Sequence, residues 1–560
     1  MSHCSRGPLL AYHIDLKRAM WRLDYLADFV LRLRGWGFNA VLLEIEDKFR
    51  FSGHPALAHP DAPSHEEWRA WAQACESAGI EVIPLVQSLG HFEFVTARSE
   101  YASLREAPDL AGHLDPTNPA ALPLVRGLID EVVDVFQPRR YFHIGGDETQ
   151  QLGRSSRLKR FGMDALYLQQ IVPLLRHVVR RGLRPLLWHD MGVSLPKTLQ
   201  KIPRTTLMVD WDYQITGPRS STLHVWGGHD GTRVNPLVTW GPDYERVASP
   251  TFRRTLGRFA EDAQTRRDGS FRGFFCTDAL RAHGFGVVTA SANRSAGDQM
   301  GVPDFGRHHA NCFWSARKGL SEGAGHIVTS WAVRHNHPET GHPATFAAIL
   351  AARGMEGFDS GAICREWAIE TFGVALPDFA QAIDLASRGL RPAKNRDRVY
   401  GRAGTWSKRL RALQGGEDLL EADIRSLCAE HGGLAKTRAQ IARARREFAR
   451  AVLLFRRCRR QAKRNAHLLE FWLEGVALQD FYLDFLQAAM ARRLPREAVR
   501  LDRRARGLMA DTRELFARTY PVFSVEQEVQ ARYGYHLEYL GRILALRKAG
   551  SAGSKSGTRK

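Results

Sequence analysis

No stretch of this 560-residue chain reaches the ~20 consecutive apolar residues of a membrane-spanning helix. Cysteine is scarce and unpaired in pattern: Cys4, Cys75, Cys276, Cys312, Cys364, Cys428 and Cys458 are odd in number, scattered, and form no C-x-x-C. That argues against a disulfide framework and a structural zinc site, and leaves reduced thiols, several of them buried. No G-x-G-x-x-G follows the first strand-like run, no P-loop occurs, and no H-E-x-x-H or comparable ligand cluster is present. His308 and His309 are adjacent, so their imidazoles are poorly placed to share one ion. The expectation is therefore no metal and no cofactor. Acids are outnumbered, 60 Asp and Glu against 80 Lys and Arg, a net charge of +20. The first residues pass directly into a strand-like segment with no apolar secretory core, which points to the cytoplasm.

What is present is ordinary for a globular protein, with 44% hydrophobic and 25% charged residues. The length suits two or three domains. From about residue 9 to 335, short apolar runs alternate with amphipathic helical stretches, as in repeated βα units. The candidate strands span 9–14, 40–45, 81–87, 141–144, 183–188, 207–210, 286–290 and 327–331, and a run at 271–276 competes with the seventh. Polar or aromatic residues follow many of them directly: Asp15, Glu46-Asp47, His91, Asp147-Glu148, His189-Asp190 and Trp211-Asp212-Tyr213. Such clustering is expected of an α/β fold of the (β/α)8, or TIM, barrel type, whose site lies at the strands' C-terminal ends. The expected barrel covers 9–340. A helical, all-α C-terminal domain follows at 346–548, and a Gly, Ser and Lys-rich, disordered tail at 549–560.

Within the helical region, residues 434–476 read as one long periodic pattern. Ile441, Phe448, Val452, Phe455, Leu469, Trp472 and Val476 form an apolar stripe, and Arg443, Arg446, Arg450, Arg457, Arg460 and Arg464 a basic one. The plain reading is an amphipathic helix with one face in a bundle and one in water. A phosphate-contacting surface and a surface for an acidic partner are the alternatives, and against single-strand nucleic-acid binding stands the lack of interleaved aromatics for stacking bases.

Tyr141-Phe142-His143-Ile144-Gly145-Gly146-Asp147-Glu148 carries the most chemistry. A buried strand stops at two glycines, which admit turns and close approaches, and two adjacent carboxylates follow. One or both acids capping the next helix is the bland reading. Ordinary glycosidases need two carboxyls ~5–9.5 Å apart across the scissile bond, and adjacent residues achieve that only with a sharp turn. Adjacency better suits a substrate that brings its own nucleophile, such as the 2-acetamido oxygen of an N-acetylhexosamine. One acid then donates a proton to the leaving oxygen while its neighbour holds the amide.

His143-Ile144-Gly145-Gly146-Asp147-Glu148 resembles the H-x-G-G-D-E signature of family 20 glycoside hydrolases, the β-N-acetylhexosaminidases. The flanking motifs are similar to those of its hexosaminidase D-like branch: His13-Ile14-Asp15-Leu16-Lys17, Leu43 to Phe49, Pro84 to His91, Leu114 to Pro119, Trp188-His189-Asp190-Met191 and Thr329-Ser330-Trp331-Ala332. The resemblance spans about residues 9–335. It implies that Glu148 is general acid and then base, and that Asp147 orients the acetamido group. His143 would position a carboxyl, Tyr213 would donate to the acetamido oxygen, and Trp188, Trp211 and Trp331 would wall the sugar. His91 and Asp190 would bind sugar hydroxyls. The family's hydroxyl-binding first-strand Arg is matched by Arg18, with Lys17 as rival. Glu46 and Asp47 are expected to pair with Lys48 or another cation. The implied ligand is an N-acetylhexosamine glycoside, its gluco or galacto configuration open, because no carboxylate follows in Ala332-Val333-Arg334. A barrel that binds carbohydrate without turnover and a nucleic-acid-associated protein are the competing readings.

Overall fold

In a computed structural model, the described residues are 7–149, 151–226, 237–240, 250–322, 324–332, 336–390 and 419–555. Among the described residues there are twelve strands: β1 (Leu9–Asp15), β2 (Ala40–Glu44), β3 (Glu81–Leu85), β4 (Tyr141–His143), β5 (Arg184–Trp188), β6 (Leu207–Trp211), β7 (Arg219–Ser220), β8 (Leu223–Trp226), β9 (Leu237–Trp240), β10 (Phe271–Arg272), β11 (Gly286–Arg294) and β12 (Gly325–Ser330). Eight of them close a barrel in the order β1-β12-β11-β6-β5-β4-β3-β2. β12 lies parallel to β1, which closes the ring. The eight barrel strands fall on the eight runs expected from the sequence, and the (β/α)8 expectation holds. The competing run at 271–276 splits: β10 pairs antiparallel with β7, and helix follows from Phe275.

The strands are apolar on successive residues because both faces are covered. All seven residues of β1 and all five of β2, β3 and β6 are buried, the pattern of parallel strands packed on side chains inside and helices outside. Each fully enclosed Leu, Ile or Phe contributes about 1.5–3 kcal/mol. Tyr12 on β1 meets the edges of Phe29 and Phe38 at 5.0 and 6.1 Å between ring centroids. Helix α1 (Leu23–Trp36) presents Leu26, Phe29, Val30 and Leu33 to this core and ends on Gly37, whose φ of 114° the capping turn requires. Helix α2 (His65–Ser77) begins at a capping box in which Ser64 and Glu67 satisfy each other's backbone N–H groups. Helices α3 (Ala121–Phe136) and α4 (Met163–Arg180) follow, and α4 buries Tyr167 and Gln170. The remaining barrel helices used below are α5 (Phe275–Ala282) and α6 (Phe305–Ser321).

The chain forms two compact units. The first comprises residues 1–293, 307–330 and 344–358, and the second 294–306, 331–343 and 359–560. The second contains α7 (Ser360–Phe372), α8 (Phe379–Ala386), α9 (Leu419–Glu430), α10 (Leu434–Gln461), α11 (Leu469–Met490), α12 (Leu494–Phe516), α13 (Val522–Val529) and α14 (Tyr535–Lys555). Trp367, Phe379, Phe455 and Trp472 bring four of these helices into one aromatic cluster. Gly301 and Gly475 approach so closely that a Cβ on Gly301 would lie 2.6 Å from the Gly475 carbonyl oxygen.

The single periodic pattern expected over 434–476 is two helices. Ala462 is extended and Asn465 adopts φ 54°, so the chain turns between α10 and α11 although the apolar spacing carries through. Ile441, Phe448, Phe455, Leu469, Trp472 and Val476 are buried as the stripe required, while Val452 is half-buried. The tail expected to be disordered is not so at 549–555, which continue α14, while 556–560 lie outside the described residues. Among the described residues no helix is long and apolar enough to cross a membrane. Cys75, Cys276, Cys312, Cys364 and Cys458 are buried free thiols, Cys428 is half-buried, and Cys4 falls outside the described residues.

Candidate active site

Side chains of successive residues on an extended strand point to opposite faces, so Asp147 and Glu148 share a target only if the backbone turns. It does: past the end of β4, Gly145, Gly146 and Glu148 have φ of 65°, 85° and 51°. The glycines do so at little cost. Glu148 carries a Cβ and is strained there, which is found where surrounding structure imposes it. Gly145 has a second reason to lack a side chain, since a Cβ would fall 1.9 Å from Gln87 Oε1. At Gly146 the carbonyl accepts the Tyr167 hydroxyl at 3.0 Å. Ser88 Oγ–H donates to the Ile144 carbonyl at 2.6 Å, tying the segment after β3 to the end of β4.

The turn aims both acids at one imidazole. His91 Nε2 lies 2.9 Å from Glu148 Oε2 and 3.5 Å from Asp147 Oδ2. Asp147 is 5% exposed and its Oδ1 has no hydrogen-bond partner among the described residues, while Glu148 is more open. His91 also sits at positive φ, 53°, as does Glu46 at 44°, so left-handed non-glycine residues follow three consecutive strands, β2, β3 and β4. Burial raises the Asp147 carboxyl above its ordinary range; His91 and Lys17 pull it back, and Glu148 and Glu44 push it up again. Burial works against a charged His91, but the neighbouring Asp147 and Glu148 outweigh it and hold the imidazole above its ordinary value.

A charged network lies beside this trio. Glu44, at the end of β2, is fully buried and accepts from Lys17 Nζ at 2.8 Å and from Gln87 Nε2 at 2.9 Å, with His13 Nε2 3.0 Å from its other oxygen. Although burial disfavours its ionisation, Lys17 and His13 hold Glu44 well below the usual carboxylate range. Lys17 Nζ is 3.6 Å from Glu46, and Asp47 pairs with Lys48, as expected for these rim acids. Burial and the adjacent acids leave Glu46 raised despite Lys17.

Several expected roles change. His143 does not reach the carboxyl of Asp147 or Glu148: its Nδ1 accepts the Gly145 N–H at 2.9 Å, and its ring is fully buried against Trp188, 4.4 Å between centroids. Burial lowers it to about 3, so it is neutral with the proton on Nε2. Trp188 has no exposed surface and backs His143 instead of walling open space. Asp190 is also fully buried and both its oxygens are engaged, Oδ2 by the Glu148 N–H at 2.8 Å and Oδ1 by Trp211 Nε1–H at 3.4 Å. It pins the backbone of Glu148 and is not available to sugar hydroxyls. Burial and Asp147 raise it well above its ordinary range. His91, expected on sugar hydroxyls, instead bridges the two acids. Its separation of 57 residues from Glu148 concealed this contact from the sequence.

Trp211 and Tyr213 are largely buried at the end of β6, their rings 5.3 Å apart. Arg18 is half-buried after β1, and its neighbour Lys17 pairs with Glu44. Trp331 belongs to the second unit, where its N–H donates to the Arg294 carbonyl at 3.2 Å. Glu44, Gln87 and Tyr167 were not singled out from the sequence, and Lys17 only as the rival of Arg18. Glu44 and Gln87 lie inside the motifs at 43–49 and 84–91, which was the available signal.

Residues 58–229 match the model of the glycosyl hydrolase family 20 catalytic domain. That span holds His91, Asp147, Glu148, Asp190, Trp211 and Tyr213. Bovine hexosaminidase D (Bos taurus) is 32% identical over 215 residues, 36% of this chain and 62% of the bovine one. The human hexosaminidase D (Homo sapiens) is 32% identical over 213 residues, 36% of this chain and 44% of the human one. The match thus covers less than two thirds of either relative. A solved family 20 β-N-acetylhexosaminidase from Streptomyces coelicolor A3(2) aligns at 16% identity with a TM-score of 0.43, over 65% of this chain and 68% of that one.

Proposed function

We propose that the protein is a β-N-acetylhexosaminidase that removes terminal N-acetylhexosamine from glycosides with retention of configuration. The observation that carries this reading is the turn of Asp147 and Glu148 onto one side at the end of β4, joined through His91, inside the segment that matches the family 20 catalytic domain. The acetamido oxygen attacks the anomeric carbon as the glycosidic C–O bond breaks. Glu148, the more exposed acid, gives its proton to the leaving oxygen. Asp147 accepts the acetamido N–H and balances the positive charge of the cyclic oxazolinium; its free buried oxygen suits that task. Water then attacks the same carbon, Glu148 takes its proton, and the ring opens to product. His91 holds the two carboxyls in register, and Asp190 holds the Glu148 backbone.

Purified protein should release p-nitrophenol from the aryl β-glycoside of N-acetylglucosamine or N-acetylgalactosamine, and a thiazoline mimic of the oxazoline should inhibit it. Glu148→Gln should lower kcat by roughly 10²–10⁴-fold, with Asp147→Asn nearly as damaging. An unchanged rate for Glu148→Gln would end the assignment. Sugar binding without any release would favour a non-catalytic carbohydrate-binding barrel.

A further inference from the structure

On α10 the positions 443, 446, 450, 453, 457 and 460 follow one another at steps of three and four, so they lie in one line along the helix. Five are arginines, spread over roughly 26 Å at 1.5 Å per residue. The sixth is Leu453, 62% exposed. The opposite face, with Ile441, Phe448 and Phe455, is buried. Glu447 is the sole acid between residues 434 and 464, and it pairs with Arg443 at 3.0 Å. Arg457 pairs with Asp378 at 3.0 Å. Arg446, Arg450 and Arg460 are exposed and make no ion pair with any described residue. The function proposed for the barrel uses none of them.

We propose that this line of guanidinium groups binds an acidic glycan, a chain in which N-acetylhexosamine alternates with uronate or sulfated sugar. A row of like charges repels a second copy of itself, which excludes self-pairing about a two-fold axis. A membrane surface would need an apolar face to enter it, and here that face is already buried, leaving of the large apolar side chains Leu434 at the helix start and the isolated Leu453 exposed. Stacking platforms for single-stranded nucleic acid do not interrupt the arginines. What fits is a linear polyanion whose carboxylates or sulfates meet the planar guanidinium in paired hydrogen bonds. The choice of a glycan among polyanions rests on the glycosidase reading of the barrel.

The test compares the full chain with Arg446→Glu/Arg450→Glu/Arg460→Glu, using a chondroitin sulfate chain as probe and neutral chitooligosaccharide and duplex DNA as comparators. The parent should bind chondroitin sulfate with an affinity that falls steeply with salt, and the variant should bind on the order of tenfold or more weakly. Helix content by circular dichroism and aryl-glycoside turnover should be the same in both. Equal binding by parent and variant, or binding of the neutral oligosaccharide as tightly as the acidic one, would overturn the proposal. So would duplex DNA bound more tightly than the glycan with the same dependence on the three arginines. Failure of the barrel reading shows separately, as absence of aryl-glycoside turnover.

Discussion

At the scale of single residues, the site rests on contacts between backbone segments more than on contacts between side chains. Gly90 illustrates it: a Cβ there would lie 2.5 Å from the Asp147 carbonyl oxygen and 2.8 Å from Thr149 Cγ2. Gly90→Ala should therefore displace the acid pair, and kcat should drop on the order of tenfold or more, while the melting temperature moves little. His91 gives a pH prediction. Its pKa is raised in the folded state, so between the unfolded and folded values the native protein holds more protons than the unfolded chain, and stability falls as pH rises. The gain is complete below about 6.5, the unfolded value, and is lost as pH climbs through the folded one. In urea titrations, His91→Asn should flatten this slope and lower kcat. The acid pair was legible because two glycines before two carboxylates at a strand's end have few structural explanations. His143 was misjudged since burial beside Trp188 commits its Nδ1 to the adjacent turn, which spacing alone does not reveal. Asp190 was misjudged for the same reason: its partner is an amide 42 residues away.

Elements were easier to read than contacts. Parallel barrel strands are enclosed on both faces, so they appear as unbroken apolar runs with sharp ends, and their polar successors mark the C-terminal rim. The two-residue strand β7 left no such trace, and its partner β10 showed only as the start of the competing run at 271–276, because a pairing that short is set by its surroundings. Helix starts carry their own signals. Ser64→Ala removes the side-chain half of the α2 capping box and should cost about 1 kcal/mol. Its urea midpoint should fall with kcat unaltered, since α2 supplies no group to the acid trio. The break between α10 and α11 was missed because Asn465 at φ 54° interrupts the backbone without disturbing the apolar spacing on either side.

For the molecule as a whole, the charge excess is partly absorbed by clusters. Asp484 on α11 receives Arg500 and Arg504 at 2.7 Å each and Arg445 at 3.1 Å. Burial opposes its ionisation, but these three guanidinium groups hold the carboxyl below its ordinary value. That stabilisation is present above the unfolded pKa and disappears as pH falls through the folded one. Asp484→Ala should cost about 2 kcal/mol at neutral pH, the loss of hydrogen bonds to a charged partner. The deficit relative to the parent should vanish in acid, as followed by helix unfolding.

Glu46, His91 and Glu148 share one further property with an evolutionary consequence. Each pays conformational strain that glycine would not. A random library selected only for surviving heat should therefore accumulate glycine at these three codons, and the survivors should be sturdy and inert. Sequencing them would outline the reaction centre through the positions where durability and turnover pull in opposite directions.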